Sequence, residues 1–229
     1  MKFVEAIQPY RFSLHLVFVP LLIMAFEYGG LFILGVPIFG YLLIPSIDFL
    51  LRQYKVNDFM TKDARENFSL KLIQLWPLIQ LILLGYCVYS VSNNTTIHLV
   101  ELISMAAITG IITGSIGITF AHELMHKKSN KERWLADILM GLVLYGHFRS
   151  EHMLIHHRYV GTPRDAATAK YNENFFKFLL RVIPSCFLSA WNEEKTRLDK
   201  SKMRVYSLKN PFWRYFGLAL FFIGFAGSL

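Results

Sequence analysis

Forty consecutive residues without a lysine or arginine, 12–51, read FSLHLVFVPLLIMAFEYGGLFILGVPIFGYLLIPSIDFLL. A helix needs about 20 apolar residues to cross a bilayer, so this stretch is long enough for two crossings. The sequence Tyr28-Gly29-Gly30 divides it and favours a tight turn, because glycine adopts backbone conformations that other residues avoid. We therefore predict two transmembrane helices joined by a short turn.

A second region without lysine or arginine, 72–126, contains two more apolar runs, 72–91 and 97–121, around the polar segment 92–96. A fifth apolar run covers 212–229. Hydrophobic residues make up 54% of the chain and charged residues only 17%. The runs do not alternate with charged faces, as the helices of a soluble core do. We predict an all-α integral membrane protein with about four complete transmembrane helices and part of a fifth.

Basic residues predict the orientation of these helices. Two lysines or arginines precede the first run, five lie between 52 and 71, sixteen lie between 122 and 210, and the two short turns carry none. Cytoplasmic loops carry an excess of lysine and arginine, so the N-terminus, the middle loop and the 122–210 region are predicted to be cytoplasmic. The expected location is a bacterial inner membrane. The expected organisation is one domain over 1–229, with four transmembrane helices in 12–121, a histidine-rich cytoplasmic region in 122–210 and the start of a further transmembrane helix in 211–229.

Six of the eight histidines lie between positions 122 and 157. Five of them form two clusters, His122-Glu-Leu-Met-His126 and His152-Met-Leu-Ile-His156-His157. Residues four apart lie on one face of a helix, so the members of each cluster are expected to point together. Neutral imidazole is the commonest metal ligand in proteins and suits iron, zinc, copper and nickel. These five histidines are the predicted metal ligands.

The position of the clusters along the chain suggests where they lie. The apolar run 97–121 continues without a helix breaker into His122. The segment 135–146 is apolar but too short to cross a bilayer, which favours a re-entrant or interfacial helix. We expect both clusters to face one site at the cytoplasmic mouth of the helical bundle.

The sequence HELMH at 122–126 also satisfies the H-E-x-x-H pattern of zinc proteases, in which Glu123 would act as general base. A catalytic zinc uses three protein ligands and a water, whereas the second cluster brings three more histidines. Imidazole-rich sites with open positions suit iron that activates dioxygen, so five histidines favour two iron ions. A zinc intramembrane protease remains the alternative from another class.

The two clusters and the sequence around them resemble the membrane alkane hydroxylases (alkane monooxygenases) of the integral-membrane fatty-acid desaturase/hydroxylase superfamily. The matching segments are HELMHK at 122–127, ERWLA at 132–136, YGHF at 145–148, EH at 151–152, HH at 156–157 and TPRD at 162–165. The four predicted spans before the first cluster are similar to that family as well.

The resemblance implies a di-iron centre held by His122, His126, His152, His156 and His157, with no catalytic residue beyond the metal ligands. Such a centre uses O2 and two electrons from a rubredoxin-like donor to hydroxylate a terminal C–H bond of a hydrophobic small molecule. Hydroxylation of xylene-type alkyl-aromatics and desaturation of fatty acyl chains are alternatives within the superfamily. Nothing in the sequence resembles a nucleic-acid-binding module.

Four further polar residues accompany the predicted ligands. Glu123, Glu151 and Asp165 are candidates to orient the ligand rings by accepting their N–H groups. His147 lies outside the ligand pattern of the family, so we expect it to be structural or to support the ligands.

The family carries a third histidine box, of H-x-x-H-H type, and a further ligand histidine between the second and third boxes. This sequence has no histidine after His157. We therefore expect the 229 residues to be an N-terminal portion of a family member. The isolated chain is expected to be inactive or to bind less than two irons. A membrane-embedded fragment without chemistry of its own is the remaining alternative.

Overall fold

The computed structural model describes residues 8–51 and 62–229, and no strand occurs among them. The chain forms two compact units, Met1–Leu135 with Ser228–Leu229, and Ala136–Gly227. The helix Asn130–Leu142, α5, begins in the first unit and ends in the second.

In its described residues, 8–51 and 62–135, the first unit contains four helical segments before α5. Helix α1, Phe18–Tyr28, continues a 3-10 segment at Gln8–Val17. Helix α2 is continuous over Gly30–Leu34, Gly35–Pro37, Ile38–Leu43 and Ile44–Leu51, and α3 covers Lys62–Ser92. Helix α4 is continuous over Leu99–Ile112, Thr113–Ile118 and Thr119–Met125.

Three of these helices are long and apolar enough to cross a membrane, over Gly30–Leu50, Asn67–Ser92 and Leu99–Met125. Ser13–Tyr28 is apolar but shorter. Three of the four predicted spans are therefore present at full length, and the exact number of crossings stays a prediction. The expected continuity from the fourth apolar run into His122 is confirmed, because α4 runs unbroken to Met125.

The predicted turn between α1 and α2 is confirmed. Gly29 and Gly30 both have positive φ, 57° and 53°. The Gly30 amide donates a hydrogen bond of 3.3 Å to Oε1 of Glu101, which lies in the first turn of α4. The backbone angles of Gly29, φ 57° and ψ −155°, favour glycine, because side chains with a Cβ rarely adopt them.

A buried amide lies in the middle of α3. Trp76 Nε1 donates to Gln80 Oε1 at 3.0 Å, and both side chains are almost fully buried. Gly117 of α4 approaches this amide so closely that a Cβ there would collide with it. Helices α3 and α4 therefore pack through a glycine against a polar side chain, an arrangement common between membrane helices.

The second unit contains the remaining helices. Helix α6 is continuous over Phe148–Glu151, His152–His156 and His157–Tyr159, α7 covers Phe175–Lys200, and α8 covers the apolar segment Phe212–Ala226. A core of Ala190, Phe212 and Tyr215, with Phe187 and Trp191 against it, joins α7 to α8.

Candidate metal-binding histidines

The first cluster lies at the end of α4. His122 Nε2 and His126 Nε2 are 3.3 Å apart, and the two ring centroids are 4.7 Å apart. The intervening Leu124 and Met125 are buried, which fixes the orientation of this turn. The expectation that these two histidines share a face is confirmed.

The second cluster lies on a π-helical turn, His152–His156, in which the hydrogen-bonding period is five residues instead of four. The wider turn brings His152 Nε2 and His157 Nε2 to 3.0 Å. The rings of His152 and His156 are stacked, with centroids 5.3 Å apart. All three rings therefore lie together, and the shortest nitrogen–nitrogen distance joins residues five apart.

Both nitrogen pairs fit metal coordination. Two imidazole nitrogens that bind one ion at about 2.1 Å are about 3.0–3.4 Å apart, from a right angle to a tetrahedral angle at the metal. The observed distances of 3.3 Å and 3.0 Å lie in that range. Each cluster therefore presents two nitrogens at the spacing of neighbouring ligands.

Asp165 orients one ring of the second cluster. Its Oδ2 accepts a hydrogen bond from His156 Nδ1 at 3.0 Å and from the Thr168 hydroxyl at 2.6 Å. Its Oδ1 accepts from the Ala167 amide at 2.9 Å. Burial alone would raise the pKa of Asp165, but these hydrogen bonds outweigh it and hold the pKa below its ordinary value. An ionised Asp165 keeps the proton of His156 on Nδ1 and leaves Nε2 free to bind a metal.

Arg181 of α7 fixes the loop that carries Asp165. Its guanidinium donates to the carbonyls of Ala166 at 2.9 Å and Thr168 at 3.2 Å. The same group makes a two-pronged ion pair with Glu173, both contacts at 2.7 Å. Hydrogen bonds from Arg181 and Lys170 lower the pKa of Glu173 to about 2, so the pair is ionised at neutral pH. No motif predicts this contact, because Arg181 lies 8 to 15 positions after its partners, which belong to an irregular loop.

His147, Glu151 and Glu123, the other polar residues near the predicted ligands, have different surroundings. His147 packs edge-on against Tyr145 and Phe187, and burial lowers its pKa to about 4, so it is neutral. Glu151 is buried beside His152, and burial raises its pKa. Glu123 is exposed. Of the three acids considered as orienting groups, Asp165 makes such a contact with a predicted ligand.

A polar network holds α6 immediately before His152. Asp137 is fully buried and pairs with Arg149 at 2.6 Å and Arg214 at 2.8 Å. Next to Arg149, the Ser150 hydroxyl bonds to Glu194 at 2.7 Å and to the Tyr215 hydroxyl at 3.0 Å. These contacts join α6 to α7 and α8 at residues that carry no recognisable motif, so sequence reasoning missed them.

Comparison with known proteins supports this picture. The pattern of the fatty acid desaturase family matches residues 98–229, which include all five predicted ligands. An alkane 1-monooxygenase of Pseudomonas putida is 43% identical over 110 residues, 48% of this chain. Alkane 1-monooxygenase 1 of Alcanivorax borkumensis is 35% identical over 176 residues, 76% of this chain. The xylene/toluene monooxygenase hydroxylase component of Pseudomonas putida is 27% identical over 218 residues, 90% of this chain.

The matched regions are parts of longer proteins. They cover 27% of the Pseudomonas putida alkane 1-monooxygenase, 43% of the Alcanivorax borkumensis protein and 55% of the xylene/toluene monooxygenase component. The chain thus spans about half the length, or less, of the relatives it matches.

Proposed function

Because this chain belongs to the fatty acid desaturase family, we propose that the protein is an iron-dependent membrane monooxygenase. It hydroxylates a terminal C–H bond of an alkane or a similar hydrophobic molecule with O2. The paired histidine nitrogens, 3.3 Å and 3.0 Å apart, carry the proposal. The alkane 1-monooxygenase relatives support the choice of reaction.

We propose His122, His126, His152, His156 and His157 as iron ligands. Neutral imidazoles suit iron that keeps positions open for oxygen chemistry. When bound, the iron supplies the oxidising power for C–H hydroxylation. The protein itself presents the ring nitrogens. Asp165 fixes the tautomer of His156 through the 3.0 Å hydrogen bond to Nδ1.

The apolar helices support a substrate that reaches the proposed site through lipid. An alkane dissolves in the hydrocarbon layer that surrounds the apolar helices over Gly30–Leu50, Asn67–Ser92 and Leu99–Met125. We propose that both histidine clusters lie on the cytoplasmic side, where the excess of basic residues is found. A rubredoxin-like electron donor reaches the site from there.

Product analysis tests the proposed reaction. The protein is expressed from its own gene in membranes that contain a reductase and a rubredoxin-like donor. It is then supplied with octane and ¹⁸O2. We expect octan-1-ol that carries one ¹⁸O atom and is formed only when the donor is present. An alkene product, or an alcohol without ¹⁸O, contradicts a monooxygenase.

The second candidate substrate is an alkylbenzene. The match to the xylene/toluene monooxygenase component favours it, because it covers 90% of this chain. Competition between octane and p-xylene in the same membranes separates the two. Preferential formation of the linear alcohol supports the alkane, and preferential formation of the benzylic alcohol supports the alternative.

A further inference from the structure

Helix α7 exposes a continuous apolar stripe along its first half. Its members are Phe175, Phe176, Leu179, Leu180 and Ile183, between 38% and 78% exposed. Their spacing of three and four residues places them on one face of the helix. An exposed apolar face of this length is unusual for a surface that meets only water, and it indicates a binding surface.

The exposed face of α7 changes from apolar to polar along the helix. Leu188 is the last exposed apolar side chain of α7. Beyond it, the exposed positions are polar or charged: Asn192, Lys195, Thr196, Arg197, Asp199 and Lys200. The 26-residue helix is about 39 Å long, of which the apolar half, 175–188, takes about 21 Å. One helix therefore has an apolar half and a water-soluble half.

Helix α7 begins at the apolar stripe with a side-chain N-cap. Asn174 caps it, with its side-chain oxygen accepting the Phe176 amide at 2.9 Å. Two exposed lysines, Lys170 and Lys177, lie close to this end. Basic side chains beside an apolar helix face are typical of helices that lie at a membrane surface, where they meet anionic phosphate groups.

Helix α8 of the same unit also exposes large apolar side chains. Helix α8 is a 15-residue apolar helix with Leu220, Phe221 and Ile223 exposed. It packs on α7 through the ring contact of Phe187 with Phe216. The chain also carries three helices that are long and apolar enough to cross a membrane, so it belongs with proteins that contact lipid.

We propose that the first half of α7, residues 175–188, lies in the membrane interface with its apolar stripe among the lipid acyl chains, while the second half extends into water. Another side of the same half carries Arg181, which donates hydrogen bonds to the loop of Asp165. The membrane surface thereby supports the element that holds the ring of His156. Such contact with lipid requires neither the metal nor the reaction.

Site-directed spin labelling of the whole chain tests it. The two buried cysteines, Cys87 and Cys186, are replaced by alanine. A nitroxide is attached to Leu180→Cys, or to Lys195→Cys as the matched control on the polar half. The protein is placed in nanodiscs of three parts phosphatidylcholine to one part phosphatidylglycerol. Collision with O2, which concentrates in lipid, is compared with collision with a water-soluble nickel chelate.

We expect the Leu180 label to collide several-fold more with O2 than with the nickel chelate, and the Lys195 label to show the reverse. Equal nickel access at both positions would mean that the stripe faces water. Protection from both reagents would mean a protein cover, and dipolar broadening would mean a second copy of the chain. Each of these three results overturns the proposal. Ile183→Cys provides the same measurement if Leu180→Cys does not fold.

Discussion

At the scale of single residues, the histidines illustrate what spacing can and cannot predict. A repeat of four correctly placed His122 beside His126, because α4 is a regular α-helix at that point. The same spacing of four correctly predicted that His152 and His156 lie together. It did not predict the closer contact of His152 with His157. The π-helical turn that creates this pair depends on a shift of backbone hydrogen bonds, which no residue type in the sequence signals.

Asp165 is the residue whose effect on a ligand is most open to measurement. Asp165→Asn keeps the shape of the side chain but removes the negative charge opposite His156 Nδ1. Loss of such a partner typically weakens metal binding by about 10–100-fold. Competition with a chelator should show this loss in the purified protein. Asp199→Asn, at an exposed position of α7, is the control and should bind metal as the wild type does. Equal affinity in both variants would show that Asp165 does not orient a ligand.

At the scale of helices, both histidine clusters are associated with a π-helical turn. One precedes His122 in α4, over Thr113–Ile118, and the other contains the second cluster itself. Such turns are frequent at functional sites because the extra residue redirects the side chains that follow. The glycines of α4 differ in role: Gly117 contacts Gln80, whereas Gly114 has open space around it.

This difference predicts opposite effects of the same substitution. Gly117→Ala should destabilise the protein by about 1–3 kcal/mol, because the added methyl group displaces the buried amide of Gln80. Gly114→Ala should be neutral or stabilise it by up to about 1 kcal/mol, since alanine favours a helix and meets nothing there. Thermal unfolding in detergent, followed by circular dichroism, measures both. A lower midpoint for Gly114→Ala than for Gly117→Ala would refute the packing described for α3 and α4.

The contacts of Arg181 with Glu173 and with the carbonyls of Ala166 and Thr168 predict how a substitution changes the local stability of this loop. Arg181→Lys keeps the charge but cannot hold Glu173 and two carbonyls at once. We expect the amides of residues 165–168 to exchange hydrogen about tenfold faster or more, since hydrogen bonds to charged groups contribute about 1.5–3 kcal/mol each. Mass spectrometry of deuterium uptake measures the rate. Arg204→Lys, at an exposed position away from these contacts, should leave the exchange rate unchanged.

At the scale of the whole molecule, composition was sufficient for the fold class. The distribution of lysine and arginine located three helices that can cross a membrane, and the glycine pair located the turn between α1 and α2. The buried ion pairs of Asp137 with Arg149 and Arg214 could not be predicted. They join residues far apart in sequence, and each partner taken alone resembles an ordinary surface charge.

We propose that both histidine clusters bind iron. The metal content of the protein purified from its membranes tests this proposal. Element analysis should find iron in the wild type and in His98→Ala, whose side chain is exposed at the start of α4. Iron should be lost from His126→Ala and equally from His156→Ala. Zinc in place of iron, or iron retained in either cluster variant, would contradict the proposed iron ligands.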